Sequence, residues 1–308
     1  MFNGCATANV SLRMAAEAVE HGEADIAIAV GFDKHPKGAF AADPSVLGLP
    51  SWYGETGLFM TTHFFGMKIN RYMALHGISQ QTLARVAAKN FANGALNPKA
   101  WRRTAMTEEQ ILAGAYVNYP LTQYMYCGPD EGAAAVVVAR RDLAHRFTST
   151  PIHLAASTLR TRRFGAFEMQ SPSLPANSVP SPTVDAAKEA FEKAGIGPED
   201  VHIAQLQDTD AGSEVIHMAE NGFCADGEQE KLIAEGYTAL TGKLPVNTDG
   251  GLMANGEPIG ASGLRQIHEL VLQLRGAAGD RQIAGPHQVG YAHLYGSPGT
   301  GAVTILTT

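Results

Sequence analysis

No apolar run in the 308 residues approaches the length of a membrane span, and from Met1 onward there is no charged-then-apolar order of a secretory signal. The expectation is a protein without a membrane span, placed in the cytoplasm. Positive charge is in deficit, with 23 Lys and Arg against 30 Asp and Glu and a formal net charge of −7. A general nucleic-acid surface, which needs clustered Lys and Arg against phosphates, is not expected. Cysteine is scarce: Cys5, Cys127 and Cys224 are an odd number at no metal-ligand spacing, which suits a reducing compartment and gives no metal site. The glycine-rich segments 250–263 and 296–301 lack the Gly-x-Gly-x-x-Gly order of a dinucleotide fingerprint, and no short-period repeat is visible.

What is present is a chain with 45% hydrophobic residues, enough for a large core, and 33 glycines, which suit tight strand-to-helix turns. Helical spacing runs from Ala6 to His21 through Val10, Met14, Ala15 and Val19, and Gly22 stops it. An unbroken apolar run, Ile26 to Val30, then reads as a buried strand. The Pro-, Gly- and aromatic-rich stretch Phe32 to Glu55 reads as a binding loop, a lid or a surface cover. Helices are expected at Thr56 to Leu75, at Gln80 to Ala92 with Ser79 as N-cap, and from a capping box at Thr107 and Gln110. The strand Ala133 to Val138 closes a first half, residues 1–150. The second half, 151–308, contains a Ser/Pro-rich linker or surface loop at Ser171 to Pro182 and a helix from Ser181-Pro182 to Ala194. A strand at His202 to Leu206 follows, then helices at Ser213 to Asn221, Glu228 to Ala234 and Gly260 to Leu274. Strands at Gln288 to His293 and Ala302 to Leu306 end the chain. The alternation predicts an α/β protein with mixed, mostly parallel sheets layered between helices.

Cys5 stands where a Gly-containing turn opens the first helix. There free N–H groups and the positive end of the helix dipole favour thiolate over thiol, as a nucleophile requires. The other reading is a small buried packing residue.

Asn3-Gly-Cys5-Ala-Thr-Ala8, followed by the strand and Gly31-Phe-Asp33, resembles the nucleophile segment of the thiolase superfamily, closest to its sterol-carrier and lipid-transfer branch. Cys127-Gly-Pro-Asp-Glu-Gly132 with the apolar run to Val138 resembles the strand closing the first half of that fold. Asn247-Thr-Asp-Gly-Gly251 with Gly256-Glu-Pro-Ile-Gly260 resembles its Asn-containing segment and its Gly-His-Pro loop, and Gly299-Thr-Gly301 onward its last turn and strand. Nearly the whole chain is covered, in order. The family fold carries further strands and helices before its nucleophile, so an N-terminal part is expected to be missing here; without it, first-half strands would show bare apolar faces.

The departures are chemical. Glu257 stands where the family has the Gly-His-Pro histidine, and reads either as a base or protonated acid or as a carboxylate favouring a helix dipole. Tyr295, with His293 two residues before, falls where the family has its second catalytic cysteine or a nearby histidine. One of the two is expected to move protons, the alternative being satisfied strand residues. Gln205-Leu-Gln-Asp-Thr-Asp210 resembles the family's His-Asp-Cys-Phe or Asn-Glu-Ala-Phe loop, with Gln207 in place of its first residue, and Asp208 reads as a residue that orients neighbours or caps a turn. The resemblance assigns Asn247 an oxyanion-stabilising water, with Gly299 beside the substrate; Asn247 is also a good turn residue. The cluster Lys99, Arg102 and Arg103 with Trp101 reads as a contact for coenzyme A or as a solvated face. Cys127 and Cys224 read as packing residues.

The resemblance implies an acyltransferase of thiolase type acting on coenzyme A thioesters in lipid or sterol side-chain metabolism, homodimeric and without a bound cofactor. The main alternative it allows is a retro-aldol lyase on β-hydroxyacyl-CoA in steroid degradation, working with an OB-fold zinc-ribbon partner. A non-catalytic lipid-binding or scaffold subunit is the third reading.

Overall fold

The structure, a computed structural model, describes residues 3–34, 43, 45, 50–55, 61–163, 180–296 and 299–308. Most of the loop expected at Phe32 to Glu55, residues 56–60 of an expected helix and most of the stretch Ser171 to Pro182 lie outside the described residues.

Helix α1 (Thr7–Glu20) buries Ala8, Leu12, Ala15 and Val19, while Met14, expected inward, is 52% exposed. The small residues decide the face. Ala8 lies against Gly263, where a Cβ would come within 2.9 Å of the alanine methyl. Strand β1 (Ile26–Asp33) and the short α2 (Trp52–Glu55) precede α3 (Thr61–His76) and α4 (Gln80–Ala95). Ser79 caps α4 as expected, its side chain accepting from the Thr82 N–H, and Thr107 with Gln110 form the capping box of α5 (Glu108–Leu112). Each cap is worth about 1 kcal/mol. A small hairpin, β2 (Tyr116–Asn118) and β3 (Leu121–Thr122), leads to β4 (Gly132–Ala139) and β5 (His153–Thr161). Then come α6 (Pro182–Ala194), β6 (Ile203–Gln205), α7 (Ala211–Glu220), α8 (Gln229–Ala234), α9 (Gly251–Asn255), α10 (Ser262–Leu274), β7 (Val289–Gly296) and β8 (Thr300–Thr307). The helix α6 begins at its Ser181 cap and ends at Gly195, which takes the left-handed conformation with φ 68°.

The α/β class and the mixed sheets are as expected, but the balance of directions is not. Among the described strands only β6 and β7 pair in parallel; β1–β4, β2–β3, β5–β8 and β7–β8 are antiparallel. The link from Gly296 to Thr300 is too short for a crossover, so β8 must turn back on β7. Strand β5 has no unbroken apolar run or strict alternation in His-Leu-Ala-Ala-Ser-Thr-Leu-Arg-Thr, and pairing with β8 is what makes it a strand.

The sheet runs in the order β5-β8-β7-β6 and is covered on both faces. Tyr291 and Tyr295 face a core shared with Phe191 of α6, Val215 of α7 and Leu83 and Phe91 of α4. Ala292 and Leu306 face Ala8 and Leu12 of α1 and Leu264 and Leu270 of α10. The β1–β4 ribbon is covered on one face only. Its other face exposes Ile28 at 60%, Val30 at 51%, Phe32 at 75% and Val137 at 66%. No helix of the described residues is long and apolar enough to cross a membrane.

Beneath α4 lies a buried polar cluster. Lys89 pairs with Glu214, whose other oxygen accepts from Asn90 and Asn247, and Asn90 also donates to Asp208. Removing one partner of a buried ion pair leaves an uncompensated charge and costs about 3–5 kcal/mol. The cluster therefore locks α4 and α7 to the segments carrying Asp208 and Asn247.

Candidate active site

Backbone bonds draw three chain segments together. The Cys127 N–H donates to the Thr209 carbonyl at 2.9 Å, and the Glu257 N–H donates to the Gly128 carbonyl at 2.9 Å. Residues 126–130 thus lie between the segment after β6 and the loop before α10, and the side chains of Cys127, Gln207, Thr209 and Glu257 converge. A fourth segment is the turn before α1, closed by Ala6 N–H to Asn3 carbonyl at 3.2 Å and by the Thr7 hydroxyl to the Gly4 carbonyl at 2.6 Å. This turn packs so closely on the end of β7 that a Cβ at Gly296 would lie 2.9 Å from the Asn3 carbonyl oxygen. Cys5 is one residue before the N-cap Ala6.

The convergence point is the Glu257 carboxylate, which is fully buried. It accepts from the Gln207 amide at 3.0 and 3.3 Å, from the Thr209 hydroxyl at 3.4 Å and from the Ser262 hydroxyl at 3.5 Å. The Cys127 thiol lies 3.9 Å from Oε2, and the Cys5 thiol is also hydrogen-bonded to this carboxylate. Burial raises the Glu257 carboxyl above its ordinary range, partly offset by the Cys5 and Gln207 hydrogen bonds.

Cys5 keeps part of its surface in solvent, but the atoms packed around it make burial the largest influence on its thiol, followed by the charge of Glu257. Both hold the thiol well above its ordinary value. The thiolate expected from the helix N-terminus is therefore corrected: the backbone contribution is the smallest, and a resting thiol faces a carboxylate. Cys127, expected to be a packing residue, is likewise held up by burial and then by Glu257. It is buried, and it is also part of the polar site.

The remaining candidates sit farther back. His293 lies on the β7 face toward α6 and α7, with Nε2 2.9 Å from the Thr183 hydroxyl and its ring 4.5 Å from that of His217. Burial, then Lys68, push its pKa down to about 3, so it is neutral. Tyr295 lies on the same face, its ring 5.9 Å from His217 and 5.0 Å from the Lys68 ammonium. His217 joins this group to the site: its Nδ1 donates to the Gln207 carbonyl at 2.8 Å, and the Gln207 side chain reaches Glu257.

Asn247 adopts φ 54° and spends both ends of its amide inside the protein. Its Oδ1 accepts from the Leu206 N–H at 3.0 Å and its Nδ2 donates to Glu214 at 2.7 Å. Gly299, with φ 119°, donates its N–H to the Gly296 carbonyl and accepts from the Arg162 N–H. Asp208 orients neighbours, accepting from the Leu252 and Met253 N–H groups at 2.7 and 3.3 Å. The basic cluster divides. Arg102 donates to the Tyr126 and Met253 carbonyls at 3.1 Å each, Lys99 stands 3.5 Å from His268, and Arg103 is exposed. Among the described residues no group of three His, Cys, Asp or Glu side chains is placed to hold a metal ion.

Thr209, Ser262 and Cys127 were not read from the sequence as site residues. Cys127 opens a segment that the resemblance had already marked, and that was the available signal. Chemically, the arrangement is a neutral thiol and a desolvated carboxylate in contact. Such a pair exchanges a proton readily once the sulfur begins to bond to carbon.

The family description "Thiolase C-terminal domain-like" matches residues 169–308. An acetyl-CoA acetyltransferase of Methanothermobacter thermautotrophicus is 32% identical over 98% of this chain and 78% of its own length. Sterol carrier protein 2 of Rattus norvegicus is 30% identical over 98% of this chain, which spans 57% of that relative's length. The solved Ltp2-ChsH2(DUF35) aldolase superposes with a TM-score of 0.84 at 25% identity, over 99% of this chain and 78% of that one.

Proposed function

Because the chain belongs to the thiolase superfamily, in its sterol-carrier branch, we propose that it makes or breaks carbon–carbon bonds in acyl-CoA thioesters by thiolase-type acyl transfer, with Cys5 and Glu257 as the reacting pair. The observation that carries this reading is the Cys5 thiol held on the buried Glu257 carboxylate. In the cleavage direction the Cys5 sulfur attacks the β-carbonyl carbon of a β-ketoacyl-CoA while its proton passes to Glu257. Collapse of the tetrahedral intermediate breaks the bond between the α and β carbons. The electron pair leaves as the enolate of the shorter acyl-CoA, and the Glu257 acid returns its proton to that carbon. The thiol of coenzyme A then attacks the Cys5 thioester, the bond to the Cys5 sulfur breaks, and the proton of the incoming thiol passes by way of Glu257 to the leaving Cys5 sulfur. One carboxylic acid serves these proton transfers, which is why a histidine in the loop is dispensable. The Gln207 amide, already on Glu257, fixes the carboxylate for each of them.

A second reading is retro-aldol cleavage of a β-hydroxyacyl-CoA, in which Glu257 removes the hydroxyl proton and returns it to the enolate carbon without an acyl-enzyme. Two observations favour it: the thiol is held well above its ordinary pKa, and an aldolase superposes at a TM-score of 0.84. This reading carries with it an OB-fold zinc-ribbon partner; either reading is compatible with a homodimer. The test is intact-protein mass spectrometry after incubation with a short β-ketoacyl-CoA, comparing wild type with Cys5→Ala. A Cys5-dependent acyl adduct is expected. Turnover of a β-hydroxyacyl-CoA with no adduct would replace the first reading by the second.

A further inference from the structure

Strand β6 leaves its sheet pairing after Gln205, and the segment that follows is placed by single bonds to other elements. The Leu206 N–H donates to Asn247 at 3.0 Å, the Asp208 carboxylate accepts from the Leu252 N–H at 2.7 Å, and the Thr209 carbonyl accepts from the Cys127 N–H at 2.9 Å. Gln207 carries the amide that holds Glu257, and its own carbonyl is taken by a side chain: His217 Nδ1 donates to it at 2.8 Å. The direction of a carbonyl and the direction in which its side chain leaves the backbone follow from the same few dihedrals. Fixing the Gln207 carbonyl therefore fixes where its amide can reach.

His217 is itself immobilised. It is buried on α7, with its ring edge-on to His293 at 4.5 Å and 5.9 Å from Tyr295, both on β7. Its backbone carbonyl accepts from Asn221 Nδ2 at 2.7 Å, and Asn221 Oδ1 accepts from the Tyr291 hydroxyl at 2.6 Å. Glu220 on the same helix stands 3.8 Å from Nε2, and Lys68 of α3 stands 3.7 Å from Glu220. Burial, then His293 and Lys68, push the His217 pKa down, so the ring is neutral. A neutral imidazole has one N–H and a carbonyl can only accept, which puts that proton on Nδ1.

We propose that His217 is a positioning residue for the acid–base chemistry at Cys5: its Nδ1–H, held on the Gln207 carbonyl, aims the Gln207 amide at the Glu257 carboxylate. For turnover the inference rests on Glu257 as the proton-carrying group of the proposed reaction; for the protonation of Glu257 it rests on the geometry alone. Cys5, Cys127, Thr209, Ser262 and Arg265 also act on Glu257 and are unchanged in the variants below.

The test compares His217→Asn, His217→Gln and His217→Phe in the whole chain. The Asn amide can stand where Nδ1 stands and donate to Gln207, the Gln amide lies one bond farther out, and Phe has no donor. One readout is an NMR titration of the Glu257 side-chain carboxyl in protein isotopically labelled at glutamate, its signal assigned by its loss in Glu257→Gln. The other is kcat and KM with a short β-ketoacyl-CoA and a β-hydroxyacyl-CoA. The Gln and Phe variants should titrate Glu257 at higher pH than wild type, because the Gln207 bonds stabilise the carboxylate. They should also lose roughly 10–100-fold in kcat at unchanged KM, while the Asn variant keeps both properties near wild type. In a Gln207→Leu background, His217→Gln should cost no more than about a further twofold. Equal effects of the Asn and Gln substitutions, an unmoved Glu257 titration in the folded variants, or full additivity with Gln207→Leu would overturn the proposal. A titration that shifts as expected in a protein whose wild type turns over neither thioester would remove the proposed reaction and support the positioning of Glu257 by His217.

Discussion

At Cys5 and Glu257, proton affinity governs both activity and stability. Burial raises the Glu257 carboxyl above its ordinary 4.5, so the folded state holds this proton more tightly than the unfolded state. Such a group contributes stability that is present at low pH and lost as pH rises through the folded value. Thermal midpoints should therefore fall in that window in the wild type, and fall less in Glu257→Gln. Buried Asp208 and Asp210, the latter pushed up to about 6, add losses of the same sign to both proteins, so the difference between the two is the readout. Turnover should run the other way, rising as Glu257 ionises to accept the thiol proton. Glu257→Gln should lower it by about 10²–10⁴-fold. The same carboxylate holds the Cys5 thiol up, so Glu257→Gln in a Cys127→Ser background should lower the pH at which Cys5 reacts with a thiol reagent. An unchanged profile would remove Glu257 from the site.

Between elements, one contact that bounds the loop carrying Glu257 is the approach of β1 to that loop before α10. A Cβ at Gly31 would stand 2.0 Å from the Gly260 carbonyl oxygen, a backbone atom that moves only with its loop. Gly31→Ala should cost about 1–3 kcal/mol in denaturant unfolding and lower turnover as well. Thr107→Ala removes the α5 cap, away from Glu257, and should cost about 1 kcal/mol while leaving turnover unchanged. Caps and stops of this kind were legible in the sequence because they act within one turn: Ser79 and Thr107 cap as read, and α6 opens at Ser181-Pro182 as read. Strand β5 was not legible, since its partner β8 lies far along the chain, and neither was the rotation of α1 that turns Leu12 inward and Met14 outward.

For the whole molecule, the bare face of the β1–β4 ribbon is the feature that decides behaviour in solution. Apolar side chains grouped on one open sheet face promote association. Concentration-dependent self-association by light scattering is expected, and Phe32→Lys with Val137→Lys should reduce it; a monomer at all concentrations would show the face to be innocuous. The same scale separates what each kind of information could decide. By itself the sequence determined the α/β class, the order of most elements, the family likeness and the position of Cys5 ahead of a helix, because periodicity, caps and motif order are local. Only the tertiary structure decided what Cys5 meets. It set a second thiol 130 residues away from Glu257 against the same carboxylate, committed Asn247 and Arg102 to internal hydrogen bonds, and reversed the expected ionisation of the thiol. Those outcomes depend on burial and on partners distant in the chain, and both exist only once the segments have packed together.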